Sequence, residues 1–361
     1  MPKELNLIVK IAGGCNLGCT YCYAAQYTRH LNEAVMSIET FERLLHSLAE
    51  FPVERSKIIL HGGEPLIVGQ RFLEQICALR NQLGVPTASF AMQTNGTLIT
   101  PKWAEFFKSH SIGVGVSLDG PPALQDHQRP LKSGQGSYER VLRGIQQLQA
   151  VGMKPMIACV ATRDSLSQAE AIYDNFVQNG INSFDFLPCF ELDPQTECIC
   201  DAAVSPREFG AFMIEIFDRW WRDDDPDVHV RLIDNVMAGL LGGQPRLCQF
   251  SGTCGLFMSV NYNGDVYPCD LFIGLPEFCV GNIYEHSLFE LWEGEVLTAF
   301  RAQVSSVRPM CQDCEWLSAC QGGCSMHWYL GGGDLVSVNP YCESRQMIFT
   351  HVRDTLRQSV I

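Results

Sequence analysis

The sequence predicts an α/β protein, built as a partial (β/α)6 barrel followed by a small cysteine-rich domain. Three observations carry this reading: β-type runs alternate with amphipathic helical stretches as far as residue 190, three close cysteines follow the first run, and cysteine density rises sharply from Cys248. Alternating strands and helices are the pattern of a parallel sheet with crossover helices. Six such units fall short of a closed eight-fold barrel.

The strands read at 5–11, 57–61, 88–93, 113–118, 153–161 and 183–187. Between them Ile38, Phe41, Leu44, Leu45 and Leu48 recur at helical spacing, as do Val141, Leu142, Ile145 and Leu148. Those faces belong to the core and carry no chemistry. Residues 1–190 thus form the barrel domain. Residues 191–247 read as a bridge with an acidic, Pro-containing loop, a helix over 206–222 and a second helical piece near 234–241. Residues 248–361, with Gly and Pro punctuating the cysteines, read as a cluster-stapled domain.

Composition narrows the class. A chain of 361 residues is long enough for more than one domain and a large core. Hydrophobic residues make up 46% and charged residues 18%, with no apolar run of membrane-spanning length. The N-terminus reads directly as a strand without a signal-peptide core, which predicts a cytoplasmic protein with no membrane partner. Neither end has room for a further peptide-binding domain, so peptide recognition falls to the barrel, the bridge or a separate protein. A net charge of −14 with no clustered Lys or Arg argues against a nucleic-acid partner. The 17 cysteines, in CxxC-type spacings, point to metal ligation in a reducing compartment rather than to disulfides.

Cys15, Cys19 and Cys22 form a CxxxCxxC loop directly after the first strand. Iron–sulfur cubanes normally take four thiolates, so three leave one iron open to a ligand that is not protein. The competing reading is half of a zinc site completed elsewhere in the chain. The second strand ends in His61-Gly62-Gly63-Glu64-Pro65, where two glycines admit close backbone approach and Glu64 offers an acceptor. Asn95 and Asp119 sit in polar turns after strands three and four, where turn chemistry alone accounts for them.

The cysteine loop with an aromatic beside its last cysteine, followed by Gly-Gly-Glu-Pro, resembles the radical S-adenosylmethionine (SAM) superfamily. In that superfamily the open iron chelates SAM, whose cleavage gives a 5′-deoxyadenosyl radical. The later array, Cys248, Cys254, Asn263-Gly264-Asp265-Val266-Tyr267-Pro268-Cys269, then Cys311, Cys314, Cys320, Cys324 and Cys342, resembles the SPASM auxiliary-cluster domain. The resemblance covers nearly the whole chain and extends to anaerobic sulfatase-maturating enzymes. It implies three [4Fe–4S] clusters and SAM. Cys248, Cys254, Cys269 and Cys324 would hold one auxiliary cluster, and Cys311, Cys314, Cys320 and Cys342 the other. Zinc at Cys311 and Cys314 is the competing assignment.

By the same resemblance Tyr21, Gly63, Glu64, Ser117, Arg129 and Phe190 would contact SAM, with Arg129 suited to its carboxylate. Asp270, which follows a cluster ligand, matches the general base of the sulfatase maturases. A radical carbon that loses a proton and an electron needs such a base. The implied substrate is a protein or peptide, oxidised by two electrons from Ser or Cys to formylglycine. The implied electron donor is external, such as a flavodoxin or ferredoxin. Peptide maturases that form thioether or carbon–carbon cross-links share these modules, and His61 stands where sulfatase maturases usually have Gln. A non-catalytic electron carrier is the reading from another class, and the open iron argues against it. Of the six remaining cysteines, Cys77, Cys159 and Cys189 read as core. Cys279 stays unassigned, and Cys198 and Cys200 share a polar loop in which two thiols could be redox-active.

Overall fold

The computed structural model describes residues 3–22, 34–85, 88–190 and 200–359. Its centre is one ten-stranded sheet in the order β10-β9-β8-β1-β2-β3-β4-β5-β6-β7. The six expected strands are β1 (Glu4–Ala12), β2 (Arg55–Gly62), β3 (Ala88–Thr94), β4 (Gly113–Ser117), β5 (Met156–Ala161) and β6 (Ser183–Pro188). They pair in parallel, in sequence order. All their C-terminal ends therefore open on one rim, the place where parallel barrels collect chemistry. The fifth strand begins at Met156, three residues later than the periodicity suggested.

The bridge contributes a seventh strand, β7 (His229–Val230), parallel to β6. From the C-terminal domain come β8 (Phe257–Val260), β9 (Asp265–Tyr267) and β10 (Gly281–Asn282). Strand β8 lies parallel to β1 over Asn6–Val9, and β9 and β10 follow as antiparallel turns of a meander. The cysteine-rich domain thus extends the barrel sheet, which the sequence did not reveal.

Helices cover the sheet for the reasons their sequences give. Ser37 caps Ile38–Ala49 by accepting the Thr40 N–H at 3.0 Å. From that helix Phe41 stands edge-on to Phe72 and Phe90, each such buried side chain contributing about 1.5–3 kcal/mol. The same helix meets the C-terminal domain through the Thr40–Tyr284 hydroxyl pair at 2.7 Å, and Phe51 just beyond its end stands edge-on to Trp292. Ser205, Pro206 and Glu208 make a capping box that starts the helix Pro206–Asp223. Among the described residues no helix is long and apolar enough to cross a membrane.

Asp185 on β6 is buried and meets the start of the helix Arg231–Leu240, with Arg231 at 3.8 Å and the backbone N–H groups of Phe186 and Leu232 as donors. Burial nevertheless outweighs these partners and pushes its carboxyl up to about 6. A carboxyl raised on folding binds its proton more tightly in the native state, so stability falls as pH rises from about 4 through about 6. Asp185→Asn should therefore melt higher than the parent at neutral pH, by ~1–3 kcal/mol on about 1.4 kcal/mol per pH unit. Melting curves of the two proteins that run parallel across that window would refute this.

Candidate active site

The cysteine loop is fixed by contact between two backbones. Gly63 N–H donates to Ala12 O at 2.7 Å and Glu64 N–H to Gly14 O at 2.8 Å. A methyl group at Gly62 would overlap Ala12 O, and one at Gly63 would overlap Gly14 O. Gly62 also sits at φ +140°. The glycine pair thus permits a close approach to the cysteine loop itself. Glu64 is fully buried, and its carboxylate accepts from Leu66 N–H (3.0 Å), Thr94 Oγ1 (2.7 Å) and Asn95 N–H (2.7 Å). It thereby joins the ends of β2 and β3. Burial raises its pKa and these three donors oppose the rise.

Asn95 then reaches the loop, with Nδ2 at 2.8 Å from Asn16 Oδ1 and 3.7 Å from Cys15 Sγ. The Leu17 N–H donates to the same sulfur at 3.4 Å. On the far side Gly18 and Thr20 donate to Pro130 O and Gln128 O. Burial pushes the Cys19 thiol up to about 12, against the pull of the nearby Arg129 charge, and also raises Cys15. Bound iron reverses that preference by holding the thiolate form.

Arg129 pairs with Asp119, Nε to Oδ2 at 2.8 Å, in a buried site. Tyr21 donates its hydroxyl to the same Asp119 oxygen, and its ring lies 5.2 Å from the guanidinium carbon. Asp119 Oδ1 accepts the Val160 N–H at 3.0 Å. Asp119 is thus the anchor of a buried unit that couples the cysteine loop to β4 and β5, a role its turn-like sequence context concealed. Ser117 accepts from Gln93 Nε2 at 3.2 Å on the same rim. Phe190 packs edge-on against His327 (5.4 Å) and Tyr341 (6.2 Å) of the C-terminal domain.

The C-terminal cysteines fall into two electrostatic sets. Cys248 feels Cys254 and Cys324, and Cys269 feels Cys248 and Cys324. Cys311, Cys314, Cys320 and Cys342 act on one another in the same way. Burial and mutual repulsion push Cys248 up to about 12 and Cys324 up to about 11. Among the described residues no three His, Cys, Asp or Glu converge as a single metal ion requires.

Asp270 opens the turn after Cys269, whose Sγ lies 3.4 Å from Oδ1. Lys10 on β1 and His61 on β2 are register partners, and Asp270 acts on the charge of both. Burial lowers the pKa of each of these cations, and Asp270 opposes that lowering. His61 Nδ1 accepts the Gly62 N–H at 2.8 Å, which places the proton of the neutral ring on Nε2. Lys10 escaped the sequence reading. Its signal was a lone charge inside the apolar run Leu7-Ile8-Val9-Lys10-Ile11. Cys200 lies 3.8 Å from Cys189, sulfur to sulfur, while Cys198 falls outside the described residues.

Comparison with known proteins agrees with this architecture. The Radical SAM superfamily model matches residues 9–173, and the SPASM model, an iron–sulfur cluster-binding domain, matches residues 252–315. Fold and cysteine array define a radical SAM protein with a C-terminal iron–sulfur domain. A serine-type anaerobic sulfatase-maturating enzyme of Bacteroides thetaiotaomicron is 30% identical over 97% of this chain and 90% of its own. A cysteine-type enzyme of Clostridium perfringens is 27% identical over 97% and 96%. The solved structure of native anSMEcpe with bound AdoMet and a peptide superposes at TM-score 0.89, 26% identical, over 99% of this chain and 98% of that one. The chain belongs to the family of anaerobic sulfatase-maturating enzymes.

Replacing Cys15, Cys19 and Cys22 together by Ala should lower iron from about twelve to about eight per chain, at four irons per cubane. Gly63→Ala should do the same without touching a ligand, because its methyl displaces Gly14. Iron analysis after anaerobic reconstitution checks both, and full iron in Gly63→Ala would show that the backbone contact is dispensable.

Proposed function

We propose that this enzyme oxidises a serine or cysteine side chain of a sulfatase polypeptide to formylglycine, drawing electrons from a ferredoxin or flavodoxin in the cytoplasm. The observation that supports it is the full-length likeness to maturases of both types, one of them with AdoMet and a peptide bound. When bound, the N-terminal cluster with SAM supplies hydrogen abstraction through a 5′-deoxyadenosyl radical, and two auxiliary clusters supply electron acceptance. Cys15, Cys19 and Cys22 hold the first of these groups. Cys248, Cys254, Cys269 and Cys324 hold the second, and Cys311, Cys314, Cys320 and Cys342 the third.

The remaining assignments concern what the chain's own groups do. Tyr21, Gly63, Glu64, Ser117, Arg129 and Phe190 surround SAM. Arg129, steadied by Asp119 and Tyr21 beside the Cys19 thiol, is the carboxylate partner. Asp270 takes the proton that the oxidised side chain releases. Lys10 and His61, register partners on two adjacent strands, share the electrostatic environment of its carboxylate.

Asp270→Asn should keep SAM cleavage and lose aldehyde product by about a hundredfold or more, the low end of general-base contributions. The assay quantifies 5′-deoxyadenosine and peptide aldehyde together, using peptides that carry Ser or Cys in a sulfatase active-site sequence. Undiminished aldehyde would remove Asp270 from the mechanism. SAM cleavage with a cross-linked product and no aldehyde would replace the maturase reading by a cross-linking one.

A further inference from the structure

Two arginines of the C-terminal domain are buried, Arg308 with 3% and Arg345 with 7% of their surface exposed. A buried guanidinium needs a compensating anion. The groups that act on Arg308 are Cys254 and Cys324 of one quartet and Cys311 and Cys320 of the other. Arg345 donates from Nη1 toward Cys320 Sγ at 3.7 Å and also acts on Cys324 and Cys342. Each arginine therefore addresses sulfurs of both quartets, which carry negative charge as cluster ligands.

The chain makes room for them at one place. Cys320 of one quartet and Cys324 of the other are joined through Gln321, Gly322 and Gly323. Gly322 and Gly323 both take left-handed φ, +81° and +82°. A methyl at Gly322 would come within 2.8 Å of Arg308 Nη1, and one at Gly323 within 3.0 Å of Arg345 Nε. The short link between the quartets is thus flanked by two guanidiniums. Aromatic faces hold them, Trp328 under Arg308 and Phe250 under Arg345, each ring centre 4.6 Å from the guanidinium carbon.

Hydrogen bonding alone does not account for this arrangement. Arg308 Nε donates to Leu335 O at 2.9 Å, and Arg345 reaches Gln249 O at 3.3 Å and Gln249 Oε1 at 2.5 Å. Among the described residues, however, the buried Nε of Arg345 has no acceptor. We infer that Arg308 and Arg345 form a cationic bridge between the two cysteine quartets and raise the reduction potential of the clusters those quartets hold. The inference rests on the cluster assignment proposed above. Net charge and hydrogen bonds to sulfur are among the determinants of cluster potential. A positive charge shared by two clusters eases the arrival of an electron on either one, which suits groups that must take electrons from a substrate.

The test compares Arg308→Gln, Arg345→Gln and the matching Lys variants with the parent, reading iron content and an EPR-monitored redox titration. Each Gln variant should shift the auxiliary-cluster potentials to lower values and leave the N-terminal cluster where it was. The Lys variants, which keep the charge, should remain near the parent. Iron loss in the Gln variants that Lys reverses supports the same charge requirement. Unchanged potentials in fully loaded Gln variants would overturn the inference, as would Lys variants that behave like Gln. A parent with only about four irons per chain would remove the auxiliary clusters themselves, and the inference with them.

Discussion

The whole site depends on one backbone-to-backbone contact, the seating of Gly62-Gly63-Glu64 on Ala12 and Gly14. Two amide hydrogen bonds at 2.7 and 2.8 Å fix where the cysteine loop leaves β1. They form only because neither glycine carries a side chain. Glu64, delivered by the same turn, then takes three donors, Leu66 in the turn after β2, Thr94 at the end of β3 and Asn95 just beyond it. Buried carboxylates are costly unless every lone pair is used, so this one becomes a hub that aligns adjacent strand ends. Asn95, held by its own N–H to Glu64, carries that alignment into Asn16 and Cys15.

A second regularity is the pairing of each thiol set with a buried cation. Arg129 acts on Cys19, Lys10 on Cys22 and Cys269, and Arg308 and Arg345 on the two C-terminal quartets. Thiols in such dry surroundings resist ionisation, as the raised values for Cys19, Cys248 and Cys324 show. The cations offset part of that penalty. Asp119 in turn keeps Arg129 from being an unpaired charge, which explains why the pair lies almost wholly out of water.

Sequence reading succeeded where information is local. Strand order, helix faces and cysteine spacing follow from periodicity and chain distance, and β1–β6 lie close to where those signals placed them. It failed where partners are brought together by register. Lys10 and His61 are 51 positions apart and meet only because β1 and β2 pair as they do. Asp119 and Tyr21, 98 positions apart, likewise gave no joint signal. Cys189 is buried, as its apolar context implied, but its approach to Cys200 is a proximity that no spacing rule marks. The parallel placement of β8 on β1 was equally silent, since its four residues read as an ordinary apolar run.

That pairing has a consequence for how the chain folds. Strand β1 pairs with β2 along one edge, and its second edge is closed only by residues 257–260, far along the chain. Until those residues dock, the strand that feeds the cysteine loop carries an open row of amides and carbonyls. Closure by so distant a segment raises the contact order, and with it the loop entropy that folding must overcome. Truncation anywhere before β8 therefore leaves the strand that leads into the cysteine loop with an unpaired edge.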